Sequence, residues 1–277
     1  MKGYHIYIPN YSVGADCYKE IPWVTRKYGK KAVVIGGKTA MDKVKNALLD
    51  GIDGSELEIT DFVWYGGEAS YENVEMLMET EAVKNADMIF AVGGGRVMDT
   101  CKVVRERLDK PMFTFPTLGS NCAATTSIAV IYHPDGSVNN YFYGKIPAEH
   151  IFINTKIIAE SPEHMFWAGI GDAISKELEA QLAIRGHKAD HTPLMGNQLS
   201  LICIDPLIEY GKKAYEDCKN NTESFELEQV VLDIIITTGM VSNFMTTEND
   251  YYYNSSLAHG FYNGTSVIPN CIHNHQH

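Results

Sequence analysis

The fold is decided by the stretch FAVGGGRVMDTCK, residues 90–102, in which an apolar run leads directly into three glycines. That run, Met88–Val92, has the length and composition of a buried strand, and a helical pattern follows from Arg96 to about Leu108. A strand, a glycine turn and a helix form one unit of a parallel α/β sheet. Glycines let the backbone approach a ligand, and the free N–H groups at a helix start favour a phosphate. Because the contiguous glycines do not match G-x-G-x-x-G, a tight turn without a ligand is an equal alternative from this stretch alone.

A second turn of small residues strengthens the ligand interpretation. The stretch FPTLGSNCAATT, residues 115–126, follows the next predicted strand and is rich in small side chains and hydroxyls. Open α/β sheets bind nucleotides in the crevice at the carboxyl ends of their strands. Two adjacent turns of this kind therefore predict a nucleotide site.

The same alternation of strands and helices is predicted for the rest of the first half of the chain. Strands are predicted at Lys31–Gly36 and at EITDFVW, and helices at Lys38 to about Leu49 and around Tyr71–Lys84. Two β-rich runs on either side of Asp135-Gly136 predict an antiparallel hairpin.

The character of the sequence changes after about Thr155. Ser161 followed by Pro162 is typical of a helix start, with Ser161 as the N-cap and the proline at the first helical position. From there to about residue 250 the pattern is helical, including Glu226 to about Phe244, with breaks near 186–196 and 220–223. We therefore predict an α/β nucleotide-type domain over residues 1–160 and an all-helical domain over residues 161–277.

Composition narrows the class of protein. The 277 residues carry a formal charge of −12, with 45% hydrophobic and 21% charged residues, which argues against a nucleic-acid or anionic-membrane partner. The start of the chain has no apolar leader, so we expect a cytoplasmic protein. The six cysteines have no CxxC spacing, which argues against a zinc knuckle or a disulfide framework. We also expect a homo-oligomer.

Four ordered motifs resemble one known family. The stretches GGGRVMDTCK, FPTLGSNCAATTSIAVIY, AGIGDAISKELEA and SLAHGFYNG resemble the glycerol dehydrogenase branch of the iron-containing alcohol dehydrogenase-like family, over essentially the whole chain. The resemblance implies a dehydroquinate synthase-like architecture of two domains, a dinucleotide against the glycine turn and a metal in the cleft between the domains. It places Asp99 as a support for the turn. By motif position, the dinucleotide site would comprise Gly93, Gly94, Gly95, Asp99, Thr117, Ser120, Thr126, Ile128 and Tyr132.

The resemblance also implies the metal ligands Asp172, His259 and His277. The residues alone favour other interpretations, namely an exposed aspartate near a helix start and a core histidine. His259 and His277 are eighteen residues apart, or about 27 Å on one continuous helix, so the intervening glycine and proline would have to fold the chain back. Helical spacing alone would instead pair His273 with His277.

The ligand set favours zinc. The iron-binding branch of the family adds a histidine four residues after the aspartate, where this chain has Lys176. An aspartate and two histidines with one open position suit catalytic Zn²⁺, with Fe²⁺ as the second choice. The resemblance implies that the metal polarises a substrate oxygen while hydride passes between the carbinol carbon and the nicotinamide.

Two positions differ from the pattern of the glycerol dehydrogenases, and they bear on the substrate and on the cofactor. Glycerol dehydrogenases carry an aspartate that contacts the polyol where this chain has Cys122, a substitution that is similar to a hydroxycarboxylate dehydrogenase subgroup. We therefore expect the substrate to be an alcohol, a polyol or a 2-oxo acid. Gly37 stands where NAD-preferring members carry an acid, and Lys38 follows it, so we expect either dual use of NAD and NADP or a preference for NADPH.

Two alternatives from other classes stay open. Dehydroquinate-synthase-type lyases share the architecture, but they use a glutamate where Asp172 stands and need several basic residues for a phosphorylated substrate. Family members also continue past the last metal-binding histidine, so the chain could be an inactive fragment of a truncated helical domain.

Overall fold

The computed structural model describes residues 7–247, 251–265 and 268. Six of its strands form one parallel sheet in the order β1-β8-β5-β4-β2-β3, and two more form an antiparallel hairpin, β6-β7. The eight strands are β1 (Tyr11–Val13), β2 (Lys31–Gly36), β3 (Glu58–Trp64), β4 (Met88–Gly93), β5 (Met112–Pro116), β6 (Ile128–Tyr132), β7 (Val138–Tyr143) and β8 (His150–Ile153).

The central strands are apolar because helices cover both faces of the sheet. Side chains alternate along β2 and β4, so Val33 and Ile89 enter one core cluster while Val34 and Phe90 enter a second. The second cluster is rich in phenylalanine, and the rings of Phe115 and Phe152 stack with centroids 4.9 Å apart.

Six helices accompany the sheet in the first part of the chain. They are α1 (Ile21–Thr25), α2 (Lys38–Ile52), α3 (Tyr71–Glu79), α4 (Glu81–Asn85), α5 (Gly95–Leu108) and α6 (Thr155–Ala159). The predicted helix Tyr71–Lys84 is in fact two helices, because the backbone at Thr80 is extended, with ψ at 123°. The predicted hairpin is confirmed, and Gly136 turns it with φ at +84°.

The second part of the described chain is helical. Its helices are α7 (Glu163–Ile184), α8 (His191–Ser200), α9 (Asp205–Lys219), α10 (Phe225–Leu232), α11 (Thr238–Met245) and α12 (Leu257–Thr265), with one π turn at Asp233–Thr237 between α10 and α11. None of the described helices has the length and apolar character needed to cross a membrane. The predicted class, a parallel α/β sheet followed by helices, is therefore confirmed.

Two details of the helical part differ from prediction. The prediction that Ser161 caps α7 is wrong, because Pro162 occupies the N-cap position. The buried Ser161 hydroxyl has no hydrogen-bond partner among the described residues. The break expected over 186–196 is shorter, because α8 begins at His191. The boundary at residue 160 stays a prediction.

Candidate active site

The glycine turn packs directly against the next turn of the sheet. Gly93 ends β4 with φ at +147°, and a Cβ there would lie 2.9 Å from Val97 Cγ2. A Cβ on Gly94 would lie 3.0 Å from Leu118 Cδ1, and Thr117 N donates to Gly93 O at 3.1 Å. Small residues are therefore required here for close packing, and the N-terminus of α5 is left at the rim of a groove.

This groove, which we call the glycine groove, collects five of the predicted dinucleotide-site residues. Its walls also include Lys38, Lys43, Tyr65 and Met165. The five predicted residues that line it are Gly37, Gly93, Gly94, Gly95 and Thr117. The structure thus brings the first βα turn of the sheet to the same groove as the GGG turn.

A buried lysine ties the β6-β7 hairpin to α5. Lys102 Nζ donates to Asp99 Oδ1 at 2.8 Å, to Thr126 Oγ1 at 2.9 Å and to Ile128 O at 2.7 Å. Asp99 Oδ2 accepts a hydrogen bond from Val130 N at 3.0 Å. These hydrogen bonds connect Asp99 to the hairpin, and its role in supporting the glycine turn stays a prediction.

A second cavity, which we call the cleft pocket, adjoins the glycine groove, since Gly95 and Arg96 line both. Of the predicted site residues, eight line it: Gly95, Asp99, Cys122, Thr126, Ile128, Tyr132, Asp172 and His259. Ser120 lines neither cavity, because it is buried where α7 meets the turn at Gly119. His277 and His273 lie outside the described residues.

Asp172 and His259 face each other across the cleft pocket. Asp172 lies on α7 and His259 on α12, with Asp172 Oδ1 and His259 Nε2 3.6 Å apart. The other ring nitrogen, Nδ1, lies 2.5 Å from Glu179 Oε2. When Nδ1 carries the proton and donates to Glu179, the lone pair on Nε2 points toward Asp172.

Glu179 is anchored as an ionised acceptor. Its Oε1 accepts hydrogen bonds from Ser256 N at 2.8 Å and from His259 N at 3.0 Å. Burial acts to raise the pKa of Glu179, but the side-chain and backbone hydrogen bonds from His259 outweigh it and lower that pKa to about 2. The carboxylate therefore holds both the backbone and the ring of His259.

These residues fit part of a divalent metal site. A carboxylate and an imidazole whose second nitrogen is held by another carboxylate form the arrangement commonly found around zinc. Within the described part of the chain, no group of three or more His, Cys, Asp or Glu side chains converges closely enough to hold an ion. The third predicted ligand, His277, is outside that part.

Comparison with known proteins identifies the family. The model of the iron-containing alcohol dehydrogenase family matches residues 9–152, just over half of the chain. The chain belongs to the iron-containing alcohol dehydrogenase family. It is 28% identical over 261 residues to glycerol dehydrogenase 1 of Schizosaccharomyces pombe, an alignment that covers 92% of this chain and 54% of that protein.

Two further relatives show the range of this family. Hydroxycarboxylate dehydrogenase A of Escherichia coli is 28% identical over 243 residues, covering 87% of this chain and 63% of that protein. The crystal structure of the S. pombe glycerol dehydrogenase superposes with a TM-score of 0.83 at 26% identity, covering all of this chain and 71% of that one. The chain thus spans little more than half the length of the first relatives it matches, 54% and 55%.

The motif comparison assigned no role to three residues that the structure places at this site. Glu179 and Lys176 follow Asp172 by seven and four residues, so all three lie on one face of α7. Their shared helix face could have been read from this spacing in the sequence. The contact between Glu179 and His259 could not, because only the fold brings these two residues together. Asn254, which lines the cleft pocket, comes from a loop that carries no motif.

Proposed function

We propose that the protein is a metal-dependent, NAD(P)-linked dehydrogenase that interconverts an alcohol and a carbonyl compound. The observation that carries this proposal is the Asp172–His259 pair, oriented by Glu179 in a pocket that adjoins the glycine groove through Gly95 and Arg96. A nicotinamide in the groove and a substrate in the pocket would then be neighbours. The names of its relatives support the same chemistry.

Each part of the site has a task in this reaction. The backbone of the glycine turn and the N-terminus of α5 bind the pyrophosphate. Asp172 and His259, with His277 as the third ligand, would hold a divalent ion, for which Zn²⁺ is our choice over Fe²⁺. When bound, such an ion supplies Lewis acidity toward a substrate oxygen. Glu179 keeps the His259 ring in one tautomer and one orientation.

We propose that both dinucleotides are accepted. Among the described residues other than its chain neighbours, the atom nearest to a Cβ placed on Gly37 is Tyr65 Cε1 at 3.9 Å, and no acid occupies position 37 itself. Lys38 also lines the groove, with its Nζ 4.8 Å from the centre of the Trp64 ring. A cation and the lack of an acid both favour a 2′-phosphate.

The test is a turnover assay on the purified protein with NAD and NADP, using a panel of alcohols, polyols and 2-oxo acids. We expect dinucleotide-dependent turnover that is lost on chelation and restored by Zn²⁺. Turnover that is indifferent to chelators would contradict the metal role, and absence of turnover with every pair would contradict the dehydrogenase.

A second candidate, a 2-oxo acid reductase that uses the same site, is favoured by Cys122. Burial raises the pKa of this thiol. The position where glycerol dehydrogenases carry an aspartate is therefore neutral here, which removes a charge that would repel an anionic substrate.

A further inference from the structure

Lys176 is a charged residue of the cleft pocket that has no part in the reaction described so far. It lies one helical turn after Asp172 on α7, and only 2% of its surface is exposed. Its Nζ donates to Asn254 Oδ1 at 2.9 Å and to Asn254 O at 3.3 Å. Both partners are neutral, and an ammonium group has three hydrogens to donate.

The other charges around the pocket are either paired or assigned to the proposed metal. Arg96 Nε lies 3.2 Å from Glu68 Oε1, and Asp99 is paired with Lys102. Asp172 lies 3.6 Å from the ring of His259, and both side chains are assigned to the proposed metal. Among the ion pairs of the described residues, none includes Lys176. A buried ammonium without an anionic partner is costly, unless a ligand supplies the anion.

We propose that Lys176 binds the carboxylate of a 2-oxo acid or 2-hydroxy acid substrate and so sets the substrate class of the pocket. This proposal rests on the proposed dehydrogenase function. The reacting oxygen would lie at the Asp172–His259 pair, and the substrate carboxylate would lie one helical turn away, at Lys176. In a 2-oxo acid the two groups are on adjacent carbons, so one small molecule reaches both.

The reaction balances without a further reagent. Hydride passes from NAD(P)H to C2 of the 2-oxo acid, the C=O π bond becomes a C–O single bond, and that oxygen takes one proton from solvent. The products are NAD(P)⁺ and the 2-hydroxy acid. Lys176 takes no part in the proton transfer and acts only on the carboxylate.

The test compares a charged substrate with a neutral one of similar shape. For 2-oxobutanoate and 1-hydroxybutan-2-one, the ratio of kcat/KM values is measured in the wild type and in Lys176→Met. Because a hydrogen bond between charged groups is lost only for the acid, we expect the ratio to fall by about 10- to 100-fold. Lys176→Arg keeps the charge and should retain most of the preference. Lys188→Met, which removes an exposed lysine beyond the end of α7, controls for net charge.

A binding measurement separates this proposal from the proposed function. Titration of 2-oxobutanoate into the protein loaded with NADP⁺ should give a dissociation constant that rises about 10- to 100-fold in Lys176→Met, whether or not turnover is detected. Equal dissociation constants, or equal losses for both substrates, would mean that Lys176 is structural and would overturn the proposal. If the wild type turns over no member of the substrate panel with either dinucleotide, the dehydrogenase proposal fails and the titration alone decides the role of Lys176. If Lys176→Met does not fold, Lys176→Arg and Lys176→Gln are compared in the same way.

Discussion

Glu179 is the residue on which the orientation of the proposed metal ligand depends. Its carboxylate accepts hydrogen bonds from both the ring and the backbone of His259. In Glu179→Gln a neutral amide replaces the carboxylate, so the imidazole is held less firmly and is less basic. Loss of such a partner typically lowers metal affinity about 10- to 100-fold. We expect a loss of this size for Zn²⁺, measured by competition with a chelator.

The matched control for this prediction lies on the same helix. Glu177→Gln makes the same chemical change two residues earlier, at a partly exposed position away from the His259 contact. Its Zn²⁺ affinity should equal that of the wild type. Equal losses in both variants would show that the effect comes from net charge and not from the hydrogen bond to His259.

Asp233 makes stability depend on pH. It is buried in the π turn, and neither of its carboxylate oxygens has a hydrogen-bond partner of normal geometry among the described residues. Burial raises its pKa from 3.8 to about 7, with a smaller opposing effect from the hydroxyl of Thr237. Between these values the folded chain binds a proton that the unfolded chain has released. The free energy of unfolding should therefore fall as pH rises through this window, by up to about 1.4 kcal/mol per pH unit.

Denaturant unfolding at pH 5 and pH 8 tests this expectation. Asp233→Asn has a similar shape but cannot ionise, so it should lose this part of the pH dependence and show a smaller difference between the two conditions. The same difference in the wild type and in Asp233→Asn would indicate that other groups carry the pH dependence.

At the scale of elements, sequence periodicity predicted the strands and helices whose bounds depend on the local sequence. β2 has the predicted bounds, and β4 and α5 differ from them by one residue. The features that were not predicted depend on tertiary packing. Ser161 is buried instead of capping α7, and the helix expected over Glu226–Phe244 contains a π turn that places Asp233 in the core. No local propensity of these residues signals either feature.

The candidate site was predictable to a similar extent. Motif order placed Asp172 and His259 as a pair, although they are far apart in the sequence, and their side chains do face each other across the pocket. Glu179 was not predicted, because only the fold brings it to His259. Lys176 was noted only because it stands where the iron-binding branch has a histidine. Its burial beside Asn254 could not be read from the sequence.

Two glycines of α7 should respond in opposite ways to the same substitution. A Cβ on Gly169 would lie 1.9 Å from the carbonyl oxygen of Gly119, whereas a Cβ on Gly171 would meet nothing within 4 Å. Alanine favours a helix over glycine by about 1 kcal/mol, so Gly171→Ala should stabilise the protein by up to that amount. In Gly169→Ala the clash with backbone outweighs this gain, and we expect a net loss of about 1–3 kcal/mol.

Unfolding in denaturant measures both changes in one experiment, with each variant serving as the control for the other. Gly169→Ala should also weaken dinucleotide binding, because Gly119 belongs to the same turn as Thr117, which lines the glycine groove. Stabilisation by both substitutions would mean that α7 does not pack tightly on that turn.

At the scale of the whole molecule, the boundary that we propose near residue 160 does not divide the core. A single cluster of buried side chains includes Ile89 of β4 and Ile234 of the π turn. Polar contacts cross the same boundary, since the amide of Asn243 accepts from Ser127 N and donates to Thr125 O, both at 3.1 Å. The two halves therefore share contacts that neither half could satisfy alone.

We expect the two halves to unfold together, although chains longer than about 150 residues often unfold in steps. The three tryptophans provide the probes, since Trp23 and Trp64 lie in the first part and Trp167 lies on α7. Trp167→Phe leaves probes only in the first part, and the double variant Trp23→Phe/Trp64→Phe leaves a probe only in the second. The fluorescence midpoints of both variants should coincide with their own circular dichroism midpoints. A saturating dinucleotide, at about 100 times its Kd, should stabilise both variants alike, by about 2.7 kcal/mol. A Trp167 transition with a lower midpoint, which the dinucleotide does not raise, would show instead that the helical part unfolds on its own. The shared core would then contribute little to holding the two halves together.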